Sequence, residues 1–172
     1  MPILDNPVST LQGRFRKIVL SLGVAGAVGA GAVTFHKEPY VIQFNPGGSL
    51  SEFYELYSTI RTEGRNVRID GMCLSACTMV AGLIPPERIC VTPYAVLGFH
   101  SAYRISMVGP EHSSEGTRMI WQTYPATLRR MLIDAGWNGD PAEHRDDRQL
   151  NKHPQMIFIR TPELYAIFRP CP

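Results

Sequence analysis

Apolar and polar positions change their period along residues 40–168, which predicts strands and helices in turn. Tyr40–Phe44 is a short apolar run that stops at Asn45-Pro46-Gly47-Gly48, as expected of a strand ended by a turn. The next apolar residues recur at helical spacing, and Gly64 ends their run: Leu50, Phe53, Tyr54, Tyr57 and Ile60. This stretch predicts a strand, a tight glycine turn and an amphipathic helix.

The same kind of pattern continues to residue 168. The further strands predicted are Asn66–Asp70, Arg88–Val91, Val96–Phe99 and Gln155–Ile159. The further helices predicted are Ala76–Leu83, Glu111–Ala135 with a kink at Pro125, and Pro162–Phe168. Residues 136–154 are polar and rich in turn formers. Strands that alternate with helices predict an α/β domain with a mostly parallel sheet.

An uncharged apolar segment precedes this domain. Ile18–Phe35 has no charged residue, and Arg14, Arg16 and Lys17 come directly before it. This order is typical of a signal peptide or an N-terminal membrane anchor, and at about 1.5 Å per residue an 18-residue helix just crosses a membrane core. A third interpretation is a buried glycine-rich element of the domain. We therefore divide the chain into residues 1–35, a basic N-terminus with a signal or anchor, and residues 36–172.

Composition narrows the function classes. The 172 residues carry 17 Lys and Arg against 15 Asp and Glu, with no basic cluster, so charge gives no argument for nucleic acid. A mean hydropathy of −0.08 excludes a protein with many membrane spans. The spacing of the four cysteines fits no zinc pattern. In an exported domain they allow three disulfide pairings, and the alternative is that Cys73 and Cys77 are small buried residues that pack the helix after Ser75. We expect no metal and no cofactor.

Three short motifs carry the candidate chemistry. The Pro-Gly-Gly turn before a helix presents backbone N–H groups at the positive end of the helix dipole, which suits an oxyanion. In Gly71-Met72-Cys73-Leu74-Ser75-Ala76-Cys77 a serine stands where a strand passes into a helix, as a nucleophile or as a helix cap. In Gly98-Phe99-His100-Ser101 a histidine ends a strand, as a base or as a structural residue.

The order of these motifs resembles the Clp protease/crotonase superfamily, and within it exported bacterial Clp-like proteins. FNPGGSL is similar to its oxyanion loop, GMCLSAC to its nucleophile segment and GFHS to its histidine strand. The resemblance covers about Tyr40–Phe168. It implies a ββα-spiral fold, Ser75 as nucleophile, His100 as base, and the N–H groups of Gly48 and Ala76 as oxyanion donors.

Two departures from that family pattern bear on activity. The aspartate that orients the histidine is absent, because the matching position is about Met156; Asp146 and Asp147 are the possible replacements if their loop folds back. The domain is also short at its N-terminal side, which favours oligomerisation.

We predict an exported or membrane-anchored, periplasmic serine hydrolase that acts on extended polypeptide, bound to the membrane through residues 18–35 while that segment is retained. The alternative is a non-catalytic relative that uses the same cleft for peptide binding or assembly.

Overall fold

The computed structural model describes residues 37–137 and 156–172, which fall within the chain unit Phe35–Pro172. The predicted apolar segment Ile18–Phe35 lies outside the described residues. Within the described ranges, no helix combines the length and the apolar character needed to cross a membrane.

Within the described ranges, eight strands form two sheets. They are β1 (Tyr40–Asn45), β2 (Val67–Leu74), β3 (Ile89–Val91), β4 (Val96–Phe99), β5 (Tyr103–Ser106), β6 (Gly109–His112), β7 (Ile157–Arg160) and β8 (Arg169–Pro170). The same part of the chain contains four α-helices: α1 (Leu50–Thr62), α2 (Val80–Leu83), α3 (Ser114–Thr123) and α4 (Ala126–Asp134). Short 3-10 helices cover Ser75–Met79, Pro86–Arg88 and Glu163–Ala166.

Strand β2 is the centre of the larger sheet. It pairs in parallel with β1 between Val67 and Cys73, and on its other side with β3 first and then with β4. Strand β8 adds in parallel to β3, whereas β7 adds antiparallel to β4. Strands β5 and β6 form a separate antiparallel hairpin. The domain is therefore mixed α/β with a mostly parallel sheet, and the ββα-spiral assignment stays a prediction.

Strand β2 extends four residues beyond its predicted end at Asp70, and Gly71 explains the difference. The register of β1 against β2 shifts between Ile42 and Phe44. A Cβ on residue 71 would lie 1.9 Å from the carbonyl oxygen of Gln43, so only glycine fits beside this irregularity. The predicted strand ended just before this glycine, but the close approach of Gln43 requires a glycine there and β2 continues to Leu74.

The predicted helix over Glu111–Ala135 is wrong in extent. Its first residues belong to β6, and α3 begins only after Ser113, whose hydroxyl accepts a hydrogen bond from the Gly116 amide at 3.1 Å. Instead of a kink there is a full break, because Tyr124 and Pro125 both have extended backbone. A residue before proline avoids the helical region for steric reasons, and α4 restarts with Pro125 as its N-cap.

The predicted buried helix Ala76–Leu83 is also divided in two. Residues Ser75–Met79 form a 3-10 turn, and only Val80–Leu83 continue as an α-helix. One hydrophobic cluster unites these turns with α1 and the sheet, and its largest fully buried side chains include Tyr57, Ile69 and Phe99. The chain therefore passes from the end of β2 through the half-buried Ser75 into a fully buried turn.

Candidate active site

Ser75 occupies a sharp turn between β2 and the 3-10 helix. Its φ of 55° makes it the one residue other than glycine with a left-handed backbone in the described part of the chain. This conformation is sterically costly for an L-residue, by about 1–2 kcal/mol, and persists only where surrounding structure enforces it. Such residues concentrate at functional sites.

A disulfide between Cys73 and Cys77 spans this turn, and we call it the clamp disulfide. The two Cα atoms are 5.3 Å apart, and Ser75 lies midway between them in the sequence. Both cysteines are fully buried. The structure also contains the Cys90–Cys171 disulfide, so among the three pairings that the sequence leaves open it has this one.

Two buried tyrosines hold the turn through hydrogen bonds. The Thr78 hydroxyl donates to the Ser75 carbonyl oxygen at 2.6 Å, and a second 2.6 Å contact joins Thr78 Oγ1 to the Tyr124 hydroxyl. Since the Thr78 hydroxyl has a single proton, Tyr124 is the donor in the second bond. The Tyr57 hydroxyl donates to the Cys77 carbonyl oxygen at 2.9 Å. Burial raises the pKa of both tyrosines, so both remain neutral donors.

The Pro-Gly-Gly loop packs directly on this turn. The Asn45 side chain accepts a hydrogen bond from the Gly47 amide at 2.9 Å, which fixes the loop. A Cβ on Gly47 would lie 2.5 Å from Ser75 Cβ and 3.0 Å from the Ala76 nitrogen. The residue that contacts the Ser75 turn is thus Gly47, whereas the resemblance implied its neighbour Gly48 as the oxyanion donor. Gly48 itself is exposed and lines the cleft described next.

Ser75 and His100 line the same cleft, which has a volume of about 980 Å³. Gly47, Gly48 and Ser49 form one wall, and the hairpin residues Tyr103, Ile105 and Pro110 line it too. No Asp, Glu, Lys or Arg is among the described residues that line this cleft. The predicted oxyanion donor Ala76 is fully buried and is not among the described residues that line the cleft, although it directly follows Ser75 in the chain.

His100 follows the end of β4 and is held by its neighbour. Its Nδ1 lies 2.6 Å from the carbonyl oxygen of Ser101, and its ring stacks on Tyr103 with centroids 5.8 Å apart. A carbonyl oxygen can only accept, so Nδ1 carries the proton and Nε2 is left with its lone pair. Burial lowers the pKa of His100 below 6.5, although the bond to Ser101 opposes this. The imidazole is therefore neutral at pH 7.

The structure brings Ser75 and His100 to one cleft without a hydrogen bond between them among the described residues. The possible third members Asp146 and Asp147 lie outside the described residues. Met156, at the position where the resemblance led us to look for an aspartate, packs on Gly98. A Cβ on Gly98 would lie 2.5 Å from the Met156 sulfur. The group that orients His100 is the Ser101 backbone carbonyl, which leaves no signature in a sequence.

The chain matches no protein-family model and no curated protein sequence. In the described ranges, no group of three or more His, Cys, Asp or Glu side chains is arranged to hold a metal ion. The side chains that do converge are a hydroxyl and a neutral imidazole beside a glycine loop, which suits nucleophilic attack on a carbonyl.

Proposed function

We propose that this protein is a serine hydrolase of the Clp-like type, a peptidase that acts on extended polypeptide. The observation that carries the proposal is the left-handed backbone of Ser75, enforced at a strand-to-helix turn that faces a cleft shared with His100. A strained nucleophile turn of this kind exposes a serine oxygen while its helix amides remain near the reacting carbonyl.

Each residue has a distinct role in the proposed reaction. His100 Nε2 takes the proton from Ser75 Oγ as that oxygen attacks the substrate carbonyl, and returns it to the leaving amine. The Ser101 carbonyl keeps the proton of the free imidazole on Nδ1. The N–H groups of Gly48 and Ala76 stabilise the oxyanion. Water then releases the acyl group from Ser75.

The substrate class follows from the sheet and the cleft. Strand β1 pairs only with β2 among the described strands, and it runs directly into the Pro-Gly-Gly loop. A free strand edge beside the nucleophile favours an extended peptide, which adds as a further strand. The described residues that line the cleft include no Asp, Glu, Lys or Arg, which favours an uncharged substrate side chain near Ser75.

The cysteines support the proposed location outside the cytoplasm. No free cysteine is found in the described residues, where two disulfides account for all four. Disulfides of this kind persist in oxidising compartments such as the periplasm. We propose an exported domain, retained at the membrane by residues 18–35 or released after cleavage of that segment.

The test is covalent labelling by a fluorophosphonate probe in full-length protein purified in mild detergent. Wild type and Ser49→Ala are expected to be labelled, and Ser75→Ala is not. Ser49 is a matched control because its side chain borders the same cleft. Absence of labelling in folded wild type, or labelling that survives Ser75→Ala, contradicts the proposal.

A second candidate is a non-catalytic protein that binds peptide in the same cleft. The missing hydrogen bond between Ser75 and His100 favours it, since a general base must come within about 3.2 Å of the proton it takes. This candidate predicts peptide binding that is unchanged in Ser75→Ala, with neither cleavage nor probe labelling in wild type.

A further inference from the structure

We infer that the clamp disulfide Cys73–Cys77 positions Ser75, and that its reduction lowers the reactivity of the Ser75 hydroxyl. This inference rests on the proposed function for its catalytic consequence, whereas its structural part concerns the backbone of Ser75 alone. The two cysteines are positioning residues, because neither lines the cleft.

One end of the clamp is anchored in the sheet. Cys73 lies in β2, opposite Asn45 of β1 and opposite Leu97 of β4. A residue paired on both sides in a central strand has little freedom to move, and Cys73 is also fully buried. The strand end therefore gives the disulfide a fixed point on the N-terminal side of Ser75.

The other end is anchored in the 3-10 helix beneath α1. The Tyr57 hydroxyl donates to the Cys77 carbonyl oxygen at 2.9 Å and lies 3.5 Å from Cys77 Sγ. Tyr57 is itself fully buried on α1. Both attachment points of the five-residue loop 73–77 are consequently held by different parts of the core.

Ser75 is at the middle of this short closed loop, where few backbone conformations can join the two ends. An L-residue otherwise prefers the right-handed region, so the left-handed φ of 55° needs a constraint. The Thr78 hydroxyl supplies one hydrogen bond to the Ser75 carbonyl, and the disulfide supplies the covalent constraint. Without it, Ser75 is expected to relax and to move its hydroxyl away from His100.

The second disulfide provides a matched control. Cys90 and Cys171 join β3 to the chain after β8 across 81 residues, and neither lines the cleft. Replacing this pair removes one disulfide and leaves the loop 73–77 around Ser75 unchanged. Any general effect of losing a crosslink therefore appears in both double variants, and an effect on positioning appears only in Cys73→Ala/Cys77→Ala.

The experiment compares the two double variants in full-length protein, each checked for folding by circular dichroism. Labelling by the fluorophosphonate probe is resolved into its affinity and its maximal rate. We expect the maximal rate to fall about 10- to 100-fold in Cys73→Ala/Cys77→Ala, since a displacement of about 1 Å costs up to about 100-fold. Probe affinity is expected to stay the same, and Cys90→Ala/Cys171→Ala is expected to react like wild type.

A reversible version covers the case in which the clamp variant does not fold. In Cys90→Ala/Cys171→Ala the clamp is the remaining disulfide of the described residues. Dithiothreitol transfers two electrons and two protons to it, giving two thiols and its own cyclic disulfide, as mass spectrometry after alkylation verifies. We expect labelling to fall on reduction and to return on reoxidation.

Nuclear magnetic resonance gives a readout that needs no activity. The three-bond HN–Hα coupling and the carbon shifts of Ser75 report its φ in the oxidised and reduced forms. A change to right-handed values on reduction supports the inference, and an unchanged left-handed φ overturns it. Equal labelling rates with and without the clamp disulfide overturn it as well. If wild type is never labelled, the proposed hydrolase is wrong, and the φ measurement alone then tests the clamp disulfide.

Discussion

Gly47→Ala adds one methyl group at the contact between the Pro-Gly-Gly loop and the Ser75 turn. Gly47 has a φ of 90°, and its added Cβ would lie 2.5 Å from Ser75 Cβ and 2.7 Å from the Leu74 carbonyl oxygen. Ordinary carbon contacts are about 3.5–4.0 Å, so the two segments must separate by about 1 Å. The Leu74 oxygen belongs to the backbone of β2 and cannot rotate away.

The expected loss of stability has two sources, the positive φ of residue 47 and the collision of its Cβ with the Ser75 turn. The positive φ costs alanine about 1 kcal/mol, and overpacking adds about 1–3 kcal/mol, for a total of about 2–4 kcal/mol of unfolding free energy. The displacement of about 1 Å at Ser75 predicts a loss of about 100-fold in the rate of probe labelling. Loss of reactivity is expected to exceed what the unfolded fraction accounts for.

Gly64→Ala is the matched control for this variant. Gly64 has a φ of 72°, but no heavy atom lies within 4 Å of its added Cβ. It carries the backbone cost of about 1 kcal/mol without the collision. Urea unfolding measures both free energies, and labelling rates are measured below the unfolding transition. Equal labelling by the two variants would refute the idea that Gly47 sets the position of Ser75.

Three further predictions concern other parts of the molecule. Because burial lowers the pKa of His100 and the base must be neutral, the decline of the labelling rate on acidification should have its midpoint below 6.5, the ordinary pKa of histidine; a decline centred above pH 7 contradicts this. Cys90→Ala/Cys171→Ala should lose about 4–5 kcal/mol of unfolding free energy, because its two cysteines are 81 residues apart, whereas loss of the clamp disulfide should cost about 2 kcal/mol. Urea unfolding measures both losses, and a larger loss for the clamp variant would contradict the prediction. Tyr124→Phe removes the donor to Thr78 and should cost about 1–3 kcal/mol with a smaller loss of labelling than Gly47→Ala; unchanged thermal unfolding would argue against that hydrogen bond.

Local patterns predicted the elements that present the site. The apolar run of β1, the glycine turn and the helical spacing of α1 are signals within a few residues, and the structure has all three elements. The placement of Ser75 after a strand and His100 at a strand end is likewise local. Because parallel strands bring their carboxyl ends to one edge, such a pattern also predicts that the two side chains share a cleft, as they do.

What the sequence could not provide depends on contacts between distant residues. The β5–β6 hairpin is stabilised by cross-strand pairs such as Arg104 with Glu111, whose side chains meet at 3.0 Å, and its residues have no strong strand pattern of their own. The extension of β2 through Gly71 depends on the approach of Gln43. The disulfide pairing depends on where the fold places the segments that carry the four cysteines, and no rule based on sequence spacing selects it.

The orienting group of His100 decides how efficient the proposed enzyme can be. In a Ser-His-Asp triad the carboxylate has two functions, since it fixes the tautomer and stabilises the imidazolium that forms during attack. An amide in that place costs about 10⁴ in rate because it permits the wrong tautomer. The Ser101 carbonyl can only accept, so it enforces the correct tautomer, but it carries no full charge. We therefore expect a hydrolase that retains the benefit of orientation, lacks full stabilisation of the cation, and so works more slowly than a complete triad.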